Sequence, residues 1–261
     1  MSHTHEDWVL IENPIANVKR LVLNRPDSFN ALSSDMLDAL SSALSTVAKD
    51  PACRVVVLSS LGKAFCAGHD LREMKANPDD TFYKKLFDQC SRLMMKLQTM
   101  PQPVIAQVQG IATAAGCQLV SMCDLAIASE NAKFAVSGIN YGLFCATPSV
   151  GLSRNMHRKQ AMEMLLTGDF IDALTAVNRG LINQTAADEE LDSAVLDLCS
   201  KIISKPEPAV RMGKALFYKQ IEMGIEPAYQ LAGHTMACNM MDKSAQEGFQ
   251  AFIEKRRPSW S

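Results

Sequence analysis

The chain has 261 residues, 48% of them hydrophobic and 21% charged, with a net charge of −2. That length bounds one large domain or a domain with an appendage, and the near-neutral charge excludes a general binder of nucleic acid or of anionic membranes. No apolar run is long enough to cross a bilayer, so no membrane insertion is expected. The first residues, MSHTHEDWVLIE, lack the basic and apolar regions of a signal peptide, and a cytoplasmic protein is expected. The eight cysteines form no Cys-x-x-Cys pair, and Cys53, Cys117 and Cys123 sit in apolar runs where a thiol acts as a small hydrophobe. Five histidines are scattered, His3 and His5 among the first residues, and no metal site is expected.

In chain order, residues 8–12 (WVLIE) and 18–23 (VKRLVL) read as two strands joined by a turn at Asn13-Pro14. Ser33, Ser34 and Asp35 are cap-type residues, and Leu37, Leu40, Leu44 and Val47 follow at helical spacing. CRVVVLSS, from Cys53, is a continuous apolar strand buried on both sides. A turn carrying His69 leads to a helix start, and a helix with the stripe Phe82, Leu86, Cys90, Leu93 and Leu97 follows. Pro101 and Pro103 end it, VIAQVQ is the next strand, a helix begins near Ala115, and LAIAS is another strand. Helical segments are then expected over 148–166, 172–180, 188–203, 208–221, 226–242 and 244–256, with Pro206 and Pro208 marking the joint between core and tail. The order is that of an α/β fold with a helical end, and no clean sequence repeat is visible.

Two stretches raise a question of chemistry: GKAFCAGHDLREM, from Gly62, and QGIATAAGCQLVSMCD, from Gln109. Each leaves a strand through glycine and small residues and enters a helix. Such turns let the main chain approach a ligand closely, and a helix start adds its positive end. The N–H groups of His69 and Ala115 are therefore a sensible pair for an enolate or tetrahedral oxyanion. The plainer alternative is that small residues only let helices pack on strands. No Lys-Ser/Thr follows Gly110 or Gly116 as in a phosphate loop, and neither Gly-x-Gly-x-x-Gly nor Gly-x-Ser-x-Gly is present.

The chain resembles the crotonase family (enoyl-CoA hydratase/isomerase superfamily) nearly end to end. NRPDSFNAL at 24–32, GKAFCAGHDL at 62–71, PVIAQVQGIATAAGCQLVSMCDLAIASENAKF at 103–134, GLFCATPSVG at 142–151, NRGLI at 178–182 and FIEKRRPSW at 252–260 carry the resemblance. One subgroup also combines Gly-His-Asp with Ala-Ala-Gly-Cys-Gln. The resemblance implies an α/β crotonase/ClpP-like spiral of ββα units. It implies a core over 1–200 with the acyl-CoA site and a helical region over 201–261 that assembles a homotrimer or a dimer of trimers. The partner it implies is an acyl-CoA thioester, with coenzyme A carried by the substrate and no other cofactor. The oxyanion hole falls on the backbone of His69 and Ala115. Contacts to substrate or coenzyme A fall on Lys63, Ala67, Asp70, Leu71, Phe252 and Lys255, the last two commonly across a subunit boundary. Read on its own residues, Asp70 instead ties its turn together, Lys255 could equally be a solvated charge, and Met74, Phe82 and Phe87 are either acyl-pocket residues or plain core.

The resemblance also locates what is missing. Hydratases of the family hold and deprotonate water with two glutamates, and those positions here are Gln118 and Gly138. Loss of one general acid or base costs about 10²–10⁴ in rate, so hydration is expected to be weak or absent. The base of the one-glutamate isomerases also falls on Gly138. A further acid position falls on Ala146, and the pocket tyrosine of decarboxylase-like members falls on Cys145. Three readings stay open: a lyase or isomerase in fatty-acid metabolism with other proton-transfer groups, a thioester decarboxylase or hydrolase, and a non-catalytic acyl-CoA sensor or partner. The His69 ring is either an acid–base group or a bystander to its own main chain. Cys145, in an apolar setting, is expected to be unreactive, and His157 and His234 to be surface or packing residues.

Overall fold

The computed structural model describes residues 8–260, so His3 and His5 lie outside the described residues. In chain order the elements are β1 (Val9–Glu12), β2 (Val18–Leu23), α1 (Ser34–Ala48), β3 (Val55–Ser60), β4 (Ala64–Cys66), α2 (Leu71–Ala76) and α3 (Asp80–Thr99). Then come β5 (Val104–Val108), β6 (Ile111–Thr113), α4 (Ala115–Met122), β7 (Leu125–Ser129), β8 (Lys133–Ala135), α5 (Ala146–Asn155) and α6 (Arg158–Thr167). The rest are β9 (Ile171–Asp172), α7 (Ala173–Asn178), β10 (Gln184–Ala186), α8 (Leu191–Ile203), α9 (Glu207–Gln220), α10 (Ile225–Met240) and α11 (Lys243–Ile253).

Six strands form a sheet in the order β1-β2-β3-β5-β7-β10, antiparallel between β1 and β2 and parallel beyond. Four short strands form a second sheet, β4-β6-β8-β9, antiparallel only at β9. One path recurs three times: β3 then β4, β5 then β6, β7 then β8. The first strand of each pair joins the large sheet and the second joins the small one. This is the spiral of ββα units that the resemblance implies. The sequence shows no repeat because the segments after each pair differ: α2 with α3, then α4, then a 3₁₀ turn at Ser137–Tyr141 with α5.

The large sheet follows from its residues. Every residue of β3 from Val55 to Leu58 is buried. Val56 and Leu58 face the main core with Leu21, Leu23 and Phe65, while Val55 and Val57 pack with Ile105 and Ile127 against Leu191, Val195 and Cys199 of α8. Both faces are covered, so a continuous apolar run replaces alternation. The Ser33 hydroxyl accepts from the Met36 N–H at 3.3 Å and so starts α1, as the cap residues predict. The second sheet has no such signature: its strands are two or three residues long, too short for a period-two pattern. Each turn of interest therefore follows a second short strand and not the long one. The helix expected over 148–166 is two helices, because Met156 is extended and buried and turns the chain between α5 and α6.

Among the described residues, none of α9 or α10 is buried, and Phe217, Ile225, Tyr229 and Met236 stand exposed. One polar cluster docks α9 on the core. Lys214 Nζ donates to the carbonyls of Leu97 (2.7 Å) and Gln102 (2.8 Å) and to the Asp124 carboxylate (2.7 Å). Asp124 also accepts from the Tyr218 hydroxyl at 2.9 Å and from the Val104 N–H at 2.6 Å.

Candidate active site

The two small-residue turns meet. A Cβ on Gly68 (φ 89°) would lie 2.8 Å from the Ala114 Cβ and 3.1 Å from the Ala115 nitrogen, and one on Gly116 would overlap the Cys66 carbonyl oxygen. Glycine is required at both places by contact, and at Gly68 also by backbone conformation. A Cβ on Gly110 would likewise overlap the Lys63 carbonyl oxygen.

The NRPDSFNAL loop buttresses the first turn. Buried Asn30 donates to the carbonyls of Leu61 (2.8 Å) and Ala64 (2.9 Å) and accepts from the Arg25 N–H (2.8 Å). The Ala67 N–H donates to the Phe29 carbonyl at 3.0 Å, and the Asp70 N–H to the Leu32 carbonyl at 3.3 Å. The His69 N–H, between them, has no acceptor among the described residues. In the second turn the Ala114 N–H goes to the Ala135 carbonyl at 3.0 Å, and α4 then starts without any side-chain cap. Every residue of α4 is buried, and the Ala115 N–H has no acceptor among the described residues. A buried helix start without a cap leaves donors that a ligand satisfies.

Ala114 sits at φ 51°, ψ −121°, a conformation that suits glycine. Ala114→Gly is expected to raise stability by about 1 kcal/mol, the relieved strain outweighing the added freedom of the unfolded chain. Urea denaturation of both proteins measures it, and a loss of stability would show that the position is unstrained.

Both turns border a cavity of about 190 Å³. It is lined by Ala67, His69, Leu71, Met74, Phe87, Ala114 and Ala115, and on the other side by residues 137–138, Tyr141 and residues 143–148. No Asp, Glu, Lys or Arg is among these lining residues. His69 Nδ1 lies 3.3 Å from the Leu32 carbonyl, which only accepts, so Nδ1 carries the ring proton. His69 Nε2 is buried with no partner among the described residues, and the ring meets Phe87 edge-on at 5.4 Å between centroids. Burial pushes the imidazole below its ordinary 6.5, against a smaller raising effect of the Leu32 carbonyl. Cys145, at the cavity wall, has a thiol pushed up by burial, which agrees with an unreactive sulfur.

The residues singled out from sequence divide clearly. His69, Ala115, Gly138, Ala67, Leu71, Met74, Phe87, Cys145 and Ala146 converge on the cavity. Gln118 does not: it is 4% exposed within α4, and its Oε1 is buried with no partner among the described residues. Gly138 is crowded as well as bare. A Cβ there would lie 2.6 Å from the Leu143 carbonyl oxygen and 2.7 Å from Cys145 Sγ, so a glutamate would displace this wall. Asp70 Oδ1 caps α2 through the N–H groups of Arg72 (3.0 Å) and Glu73 (3.3 Å), and Oδ2 lies 3.8 Å from Arg25, so its side chain secures the turn. Phe82 packs on the core and does not line the cavity. Lys63, Phe252 and Lys255 are also absent from the lining; Phe252, 83% exposed on α11, borders a separate groove with Phe249 and Trp260. His157 and His234 are exposed. Sequence reasoning passed over Tyr141, at the end of the 3₁₀ turn, and used Leu143 and Phe144 only as the apolar setting of Cys145; all three line the cavity.

The family model described as Enoyl-CoA hydratase/isomerase matches residues 12–261. A crystal structure titled as enoyl-CoA hydratase from Mycobacterium smegmatis is 58% identical, with a TM-score of 0.95 over 97% of this chain and 98% of that one. The crystal structure of human enoyl Coenzyme A hydratase domain-containing protein 3 is 40% identical, with a TM-score of 0.93 over 97% of this chain and all of that one. The Xenopus laevis relative, named enoyl-CoA hydratase domain-containing protein 3, mitochondrial, is 42% identical over 260 residues, all of this chain and 88% of its own length. That name contradicts the cytoplasmic expectation: the relatives of this subgroup from Danio rerio, Xenopus laevis and human are all named mitochondrial. With spiral, paired turns and end-to-end identity agreeing, the chain belongs to the enoyl-CoA hydratase/isomerase (crotonase) family, in the subgroup of enoyl-CoA hydratase domain-containing protein 3.

Proposed function

We propose that the chain binds acyl-CoA thioesters in the cavity, with the thioester oxygen held by the N–H groups of His69 and Ala115. The observation that carries this is a pair of unspent donors, fixed by close glycine contacts, at the edge of an apolar cavity. Two such donors stabilise an enolate oxygen more than a neutral carbonyl, which favours chemistry at the carbon next to the thioester. Coenzyme A arrives as part of the substrate, and no other cofactor is called for. Residues 201–261 assemble a homotrimer or a dimer of trimers, a reading supported by the exposed apolar residues of α9 to α11. In that assembly Phe252 and Lys255 would serve a neighbour's coenzyme A, and Lys63 the chain's own.

Hydration is not the efficient reaction of this site. Water activation needs a base and an acid, and the lining has no carboxylate. The enzyme reading is an enoyl-CoA isomerase or lyase in fatty-acid metabolism. The same inventory favours, as a second reading, a non-catalytic acyl-CoA sensor or partner. Decarboxylation of a malonyl-type thioester ranks below both, because no lining cation would recognise the carboxylate.

The test pairs calorimetric binding of butyryl-CoA with hydration of crotonyl-CoA. Binding with hydration slower than in the glutamate-bearing enzymes by at least about 10²-fold is expected. Brisk hydration would overturn the argument from missing carboxylates, and absence of binding would overturn the site.

A further inference from the structure

We infer that the Ser137 hydroxyl, positioned by Thr113, is the specificity-determining group of the cavity and takes a hydroxyl on the third carbon of the acyl chain. The inference rests on the acyl-CoA reading above and deepens it by naming the acyl group. Five lining side chains carry a hydrogen-bond donor: His69, Ser137, Tyr141, Cys145 and Thr147. The ring proton of His69 faces the Leu32 carbonyl and its other nitrogen is buried, while a thiol is a weak donor. Tyr141 is 79% exposed. Of the three lining hydroxyls, Ser137 alone has a side-chain partner among the described residues: its Oγ lies 2.9 Å from Thr113 Oγ1.

The fold puts the pair at the cavity wall. β6 and β8 run parallel with Thr113 opposite Ala135. Both chains leave the small sheet at this point, one into α4 and the other into the 3₁₀ turn that starts at Ser137. Thr113 and Ser137 are each half-buried, so neither is sealed in the core. Two hydroxyls carry two protons, and one of them lies between the two oxygens. Whichever oxygen donates it, the second proton has no acceptor among the described residues. The pair therefore offers a ligand one donor and open lone pairs. A hydroxyl group uses both at once, whereas a ketone only accepts and a methylene does neither.

Position selects the carbon. Thr113 stands two residues before Ala115, so their Cα atoms are at most about 7.6 Å apart. A thioester oxygen on the Ala115 N–H therefore brings the first carbons of its acyl chain beside the pair. A hydroxyl on the second carbon would occupy the place where an enolate forms; one on the third leaves that carbon free. Met74, Phe87, Leu143 and Phe144 leave the rest of the chain as hydrocarbon. The ligand class is thus a 3-hydroxyacyl thioester of coenzyme A with an apolar tail.

Calorimetry with butyryl-CoA and the two enantiomers of 3-hydroxybutyryl-CoA, all of one chain length, tests the assignment. One enantiomer should bind the intact protein about fivefold tighter than butyryl-CoA, the worth of one added hydrogen bond. Ser137→Ala should bring that ratio of dissociation constants close to one. Thr113→Val keeps a branched side chain but releases Ser137 from its partner, and should lose most of the discrimination between enantiomers. It carries the test if Ser137→Ala does not fold. Equal binding of all three thioesters by the intact protein, or a preference that survives Ser137→Ala (or Thr113→Val in its place), overturns the assignment and leaves the acyl-CoA site standing. Failure of the intact protein to bind any of the three removes the site itself.

Discussion

Gly116→Ala should lower stability by about 3 kcal/mol, the upper part of the range for overpacking, and weaken butyryl-CoA binding by about tenfold. The added carbon would overlap the Cys66 carbonyl oxygen, and the neighbour is backbone, so neither side gives way by a rotamer change. Relief comes only by moving the start of α4 away from the first turn, which parts the N–H of Ala115 from that of His69. Gly213→Ala provides the contrast. A Cβ there meets nothing within 4 Å, in the middle of α9, and helix propensity alone predicts a gain of about 0.5–1 kcal/mol. Denaturation and calorimetry on both variants read the two effects. Unchanged stability in Gly116→Ala would show that the turns are not in contact.

Lys214→Ala should cost about 3–5 kcal/mol, because it strands the Asp124 carboxylate in a largely buried place. The Lys214 side chain is 6% exposed, and its ammonium satisfies two carbonyls besides the carboxylate. Burial pulls the Lys214 pKa down while Asp124 pulls it back up, so the ammonium depends on its partner. Since no residue of α9 or α10 is fully buried among the described residues, this polar cluster is a principal anchor of α9 on the core. Replacing both partners, Lys214→Met with Asp124→Asn, should cost less than Lys214→Ala alone, because no unpaired charge remains. Equal costs for the single and double changes would indicate that the ion pair contributes little.

Local signals in the sequence located the elements that local signals govern. The cap at Ser33, the apolar run of β3 and the stripe of α3 each appear where their residues put them. The paired turns were legible because glycine and alanine beside His69 and Ala115 have a local reason that close approach explains. What long-range contact decides was not legible. The second sheet is built of strands two or three residues long, held by neighbours far along the chain. The crowding at Gly138 comes from Leu143 and Cys145 folding back over it, and no local pattern predicts that. Gln118 falls beside Ala115 in sequence but turns into the packing of α4, away from the cavity lining. Asp124 and Lys214, ninety positions apart, read as unrelated surface charges until the fold joins them.

The direct measurement is a crystal structure with butyryl-CoA bound. The account predicts the thioester oxygen at about 2.7–3.1 Å from the main-chain nitrogens of both His69 and Ala115, with the acyl chain against Phe87 and Met74. A thioester oxygen lying beyond hydrogen-bond reach of both nitrogens, with the ligand fully occupied, would contradict it.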